Sequence, residues 1–237
     1  KGYMEKGVNV DVFRLREGEP IYWEEFQSVD ITTGSSEALH KLLSSGKYKN
    51  VLVHFLNENM WNVLSDFIDD IQVTVWSHGA DIYPWWWRSF LFDNQAQLEK
   101  GKLESAQRMA FWNKIFRLMP VNLKLVFVSK FLADIVIKDY KINLPKSKYQ
   151  IIHNPIDTEL FSYKKKNYDH RKKILSIRPY STKTYANDLM VEALLYLSNE
   201  LWFKELEIRL IGDGVLFDET LKPLSKFNNI ILEWNSK

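Results

Sequence analysis

Short apolar runs recur along this chain, separated by stretches whose apolar residues return every three or four positions, and this alternation constrains the fold more than any other feature. Val51 to Leu56, broken only by His54, reads as a buried strand, and Met60, Val63, Leu64, Phe67 and Ile68 follow at helical spacing. Ile71 to Trp76 is a second strand and Leu123 to Val128 a third, with Ser129 as N-cap of a helix over Phe131 to Tyr140 and a short strand at Tyr149 to Ile152. The pattern resumes with strands at Ile174 to Ile177, Leu206 to Ile211 and Ile230 to Leu232, separated by helices near 187–198 and 216–224. Toward the start, Val8, Val10 and Val12 alternate as in a strand, and a serine-capped helix is expected from Ser35 to Leu43. Strands alternating with helices predict an α/β fold of parallel sheets covered on both faces.

The chain has 237 residues, 46% hydrophobic and 26% charged, enough for two modest domains with packed cores. Lys164, Lys165, Lys166, Arg171, Lys172 and Lys173 face one acid, Asp169, and such a run belongs at a boundary. The expected organisation is therefore a first domain over 1–163, a basic linker over 164–172, and a partial second domain over 173–237, whose three strands are too few to complete a doubly wound sheet. With no cysteine there are no disulfides or thiolate metal sites, and the five histidines lack metal-ligand spacing. A net charge of +2 gives no case for nucleic acid. The apolar runs are much shorter than a membrane span, and no secretory signal is read at Lys1. A cytoplasmic location is the expectation.

In open parallel sheets, ligands gather at the carboxyl ends of strands. After Ile71 to Trp76 come His78, Gly79 and Asp81, an imidazole, a residue permitting close backbone approach, and a carboxylate. After Ile152 come His153, Asn154, Pro155 and Asp157, which by physics alone form a turn. After Ile177 come Arg178 and Lys183 on a loop leading to a helix near Asn187, and a guanidinium, an ammonium and free helix-start amides together can hold a diphosphate. After Ile211 come Gly212, Asp213 and Gly214, whose glycines permit close ligand approach without completing a dinucleotide fingerprint.

In this order the segments VTVWSHGADI, LVFVSKFLADIVIKDY, YQIIHNPIDTELF, ILSIRPYSTKTYANDLMVEAL and RLIGDGVLFDETL resemble the GT-B glycosyltransferases of the large retaining group, family 4-like, that builds bacterial lipopolysaccharide and capsule. The resemblance implies two Rossmann-like doubly wound domains, the second incomplete. It also implies sugar transfer, with retention, from a nucleotide-sugar to a glycan or lipid-linked acceptor. His78 and Asp81 would be catalytic, and Gly79, Asn154, Arg178, Lys183, Gly212, Asp213 and Gly214 would bind the donor. No metal or other cofactor is implied, and this stretch alone is expected to be inactive. Pro155, Ile177 and Thr184 stand where the family commonly has glycine. A sugar-nucleotide epimerase on the same fold, or a non-catalytic sugar-nucleotide-binding protein, are the rival readings.

Aromatic content is high, with nine tryptophans. Trp85, Trp86, Trp87 and Arg88, together with Trp112 and Arg117 on a basic, aromatic helix, form either a core-facing helix or a surface for a lipid-linked acceptor at the inner face of the membrane.

Overall fold

The computed structural model describes Tyr3, residues 6–26 and residues 29–235. It divides into two compact units, Lys1–Arg88 with Glu99–Pro155, and Ser89–Leu98 with Ile156–Lys237. The division thus follows Pro155, ahead of the basic run, and the excursion Ser89–Leu98 groups with the second unit.

The first unit opens with strands β1 (Val12–Leu15), β2 (Tyr22–Phe26) and β3 (Val29–Gly34). β3 pairs in parallel with β1 and antiparallel with β2. The strand expected from Val8 starts only at Val12, and the antiparallel member was not expected at all. Helix α1 (Ser36–Ser44) begins where Ser35 accepts the amide of Ala38. It buries Leu39 and Leu43 and packs against β1, β3 and the next helix.

Strand β4 (Asn50–His54), helix α2 (Glu58–Ser65), strand β5 (Gln72–Ser77), helix α3 (Gln95–Leu118), strand β6 (Leu123–Phe127), helix α4 (Lys130–Asp139) and strand β7 (Tyr149–Ile151) follow. The four strands form a parallel sheet in the order β4-β5-β6-β7. Because parallel crossovers are right-handed, strands added one after another in a single direction bring α2, α3 and α4 to one face. There Trp61 and Leu64 of α2, Trp112 and Ile115 of α3, and Leu132 and Val136 of α4 close over Val73, Val75, Leu125 and Phe127. Asn57 and Ser129 cap α2 and α4 through their side chains. β4 is an edge strand with Leu52 exposed, so it is less buried than its apolar run suggested.

The second unit carries a single helical turn α5 (Tyr168–Arg171), within the expected linker, then strand β8 (Lys173–Ile177), helix α6 (Asn187–Leu197), strand β9 (Glu207–Gly212), helix α7 (Phe217–Leu221) and strand β10 (Ile230–Trp234). Its parallel sheet runs β10-β9-β8. Ile208 and Leu210 of the middle strand are fully buried against Val191 and Leu194 of α6 and Phe217 and Leu221 of α7. β8 lies at the edge, with Ile174, Leu175 and Ile177 exposed. Both parallel sheets, each with its helices, make the chain α/β. Among the described strands, neither reverses its order.

Candidate functional site

In the first unit, β5 ends in a tight turn. Gly79 adopts φ +96°, and a Cβ there would lie 2.6 Å from the Tyr83 ring, so both the backbone and the space require glycine. The amides of Ile82 and Tyr83 donate to the Gly79 carbonyl. Asp81 holds the turn from inside, its Oδ1 accepting the His78 amide at 3.0 Å. Its Oδ2 is buried without a hydrogen-bond partner. Burial raises the Asp81 carboxyl above its ordinary range, against the opposing pull of backbone donors and His78.

Three neighbouring elements fix the same turn. The Trp112 indole donates to the Asp81 carbonyl at 2.7 Å, the Tyr140 hydroxyl to that of Ile82 at 2.7 Å, and the Arg108 guanidinium twice to that of Tyr83. An open cleft of about 390 Å³ adjoins it, lined by Phe55, Glu58, Asp81, Glu104, Arg108 and Phe111. Two aromatic faces beside carboxylates and a guanidinium suit a polar ligand with a flat apolar side.

His54, the last residue of β4, is a functional candidate that the sequence reading passed over. It pairs in register with Trp76 of β5, so its ring and that of Trp76 lie on one face of the sheet. Its Nδ1 lies 2.8 Å from Nε2 of His78. Phe55 follows with φ +55°, rare for a bulky residue, and stacks its ring on His78 at 4.6 Å. Burial, then the charge of His78, lower the affinity of His54 for a proton. The signal available in the sequence was a single imidazole interrupting the apolar run Val51 to Leu56; that the strand ends at His54 emerges only in the fold.

In the second unit, the loop after β8 carries Arg178 and Lys183 to the start of α6. Arg178 donates its amide to Ile211, and its guanidinium donates to the Tyr185 carbonyl at 2.6 Å. Ala186 precedes the helix at φ +52° and provides no side-chain cap. Asn187 is buried with its Oδ1 unpartnered while its amide donates to Pro179. Lys183 pairs with the carboxylate of Asp93, which raises its pKa, and Asp188 and Glu219 act on it in the same direction.

The glycines of Gly212-Asp213-Gly214 serve this loop rather than leaving open space for a ligand. A Cβ on Gly212 would sit 2.0 Å from the Arg178 carbonyl oxygen, and one on Gly214, at φ +124°, 2.5 Å from the Ser181 amide. The Asp213 carbonyl accepts the Tyr180 amide. Gly212, Asp213, Gly214, Arg178 and Lys183 therefore stand together within the second unit. His78, Gly79 and Asp81 stand together in the first. Asn154 is exposed just beyond β7, while Asp157 caps the turn after it through Glu159 and Leu160.

The expected aromatic surface divides. Trp112 is fully buried at the centre of the first core, stacked on Phe116, and is removed from any lipid- or acceptor-facing role. Its position on α3 is decided by packing: Met109, Phe116 and Met119 lie on the same inward side. Trp86 and Trp87 are exposed, Trp85 and Arg88 half-buried, and Trp87 donates to Asp139. Arg117 is exposed beside Lys114 in a shallow groove. Among the described residues, no helix is long and apolar enough to cross a membrane, and no three histidine or acidic side chains converge as a metal site.

Compared with known proteins, the chain matches no family model and no curated protein.

Proposed function

We propose that this chain belongs to a GT-B-type glycosyltransferase that moves a sugar, with retention, from a nucleoside diphosphate to a glycan or lipid-linked acceptor in bacterial surface polysaccharide synthesis. In this reading the diphosphate is the business of the second unit. As the bond to the anomeric carbon breaks, negative charge grows on the diphosphate and must be met by donors already in place. The observation that carries the reading is the start of α6: its first amides have no side-chain cap, and the loop that delivers them bears Arg178 and Lys183. Amides at a helix start, with a guanidinium beside them, suit a phosphate.

The transferred sugar and its acceptor belong to the first unit. Asp81, which accepts the His78 amide, borders a cleft whose aromatic and carboxylate lining suits a carbohydrate. Exposed Trp86 and Trp87 give the acceptor side an amphipathic surface compatible with peripheral membrane contact at the cytoplasmic face.

Titration with UDP, GDP and ADP, followed by amide NMR shifts, tests the proposal. Binding should move the amides of Asn187, Asp188 and Leu189, and Arg178→Ala should weaken it about 10- to 100-fold, as expected for a lost charged hydrogen bond. If no nucleoside diphosphate moves those amides at millimolar concentration, the proposal fails.

A further inference from the structure

We infer that His54 and His78 share one proton across their hydrogen bond and act as a single titrating unit, in which His54 is a positioning residue that sets the orientation and protonation of His78. This rests on the proposed role of His78 for its catalytic meaning, while the pair itself stands on geometry.

The ring centres are 5.1 Å apart and the ring planes are within 27° of each other. That separation equals the 2.8 Å bond plus the two ring radii, so the rings meet edge to edge and the bond lies along the line joining their centres. Such alignment is ideal for N–H···N. It also points the two bridging nitrogens directly at each other, leaving no apex from which a metal could be held by both.

The surroundings hold the rings there. Trp76 lies beside His54 at 5.4 Å and 24°, and Phe55, through its left-handed backbone, covers His78. Neither of those side chains titrates in this range. The ionisable group coupled to His78 is Asp81, on the same turn.

Proton counting then fixes the behaviour. With both rings neutral, one nitrogen of the bridge carries hydrogen and the other accepts it. A first added proton goes to the outer nitrogen of the donating ring, making an imidazolium that still donates to a neutral partner. The bridge survives and is strengthened by charge. A second added proton places N–H against N–H, and the bridge must open. The pair therefore takes up its protons in two steps that belong to both rings together. In the proposed reaction this keeps His78 in one orientation until the second proton opens the bridge.

The experiment uses the full chain with ¹⁵N-labelled histidine, observed by long-range ¹H–¹⁵N correlation from about pH 4 to 8. His40, His153 and His170 serve as internal controls. The expected result is that His54 and His78 each show two inflections at common pH values, with scalar coupling between the bridging nitrogens. In His54→Phe, which preserves the stack, His78 should show one inflection; His78→Phe should do the same for His54. Independent single inflections in the wild-type chain, unchanged by replacing the partner, would overturn the inference. Nucleotide titration reads a different unit, so either result can fail alone: a coupled pair without nucleotide binding defeats the transferase reading only, and binding with independent rings defeats the pair only.

Discussion

Replacing Gly212 with alanine is the most direct trial of the second-unit site. The added methyl would sit 2.0 Å from the Arg178 carbonyl oxygen, where ordinary contact begins at 3.4 Å, a deficit of about 1.4 Å. The obstacle is backbone, and the Tyr180 ring blocks escape at 2.8 Å. The Arg178 loop must therefore move, and the bonds at stake are Arg178 amide to Ile211, Tyr180 amide to Asp213 and Leu216 amide to Tyr180. Losing two of these costs about 1 kcal/mol each, and residual overpacking adds ~1–3 kcal/mol. The total is on the order of 3–5 kcal/mol, and ~4–8 °C of melting temperature accompanies each kcal/mol in a domain of 60–100 residues. Thermal and urea unfolding of the variant measure this directly. Gly46→Ala is the control, since Gly46 has φ +70° with open space around it and reports backbone cost alone. Nucleoside diphosphate affinity should fall with Gly212→Ala even where the chain remains folded, because the loop that carries Arg178 is displaced. If Gly212→Ala is no less stable than Gly46→Ala, the packing argument for the glycine pair is wrong.

Three further outcomes are expected. Trp112→Phe keeps most of the buried ring but leaves the Asp81 carbonyl without its donor, and should cost about 1–3 kcal/mol in urea unfolding. Asp81→Asn retains the acceptor for the His78 amide and removes a buried charge. Because the folded carboxyl is raised, the native state binds more protons than the unfolded chain above the unfolded pKa of about 4, so wild-type stability falls as pH rises through that window. The variant's advantage in urea midpoint should therefore be larger at pH 7 than at pH 4. Asp93→Asn frees Lys183 and removes a negative neighbour, so pyrophosphate titration should show several-fold tighter binding than wild type.

What was legible in the sequence was what is locally encoded. Ser35 and Ser129 lie beside the helices they cap, and the strand cores around Val75, Leu125 and Ile208 announce themselves by composition. β2 and β3 were not legible. Glu24, Glu25 and Asp30 interrupt their apolar pattern, and pairing between strands supplies what propensity does not. The four stations at strand ends could be named, but their relations could not. That His54 meets His78 depends on the register of β4 on β5, and that Gly212 meets Arg178 depends on β8 lying beside β9. The fate of Trp112 was undecidable for a similar reason: a helix with apolar and basic sides fits a core or a surface, and only the neighbouring α4 and β5 choose.

The margin of the second sheet has a practical corollary. Along β8 the outward side chains of Ile174, Leu175 and Ile177 accompany a strand whose described partner is β9 alone. Such a border is adhesive, inviting another polypeptide to add itself as the next rung. Preparations of this stretch should consequently grow sticky with concentration, and a lysine at Leu175 is the simplest way to keep them in solution.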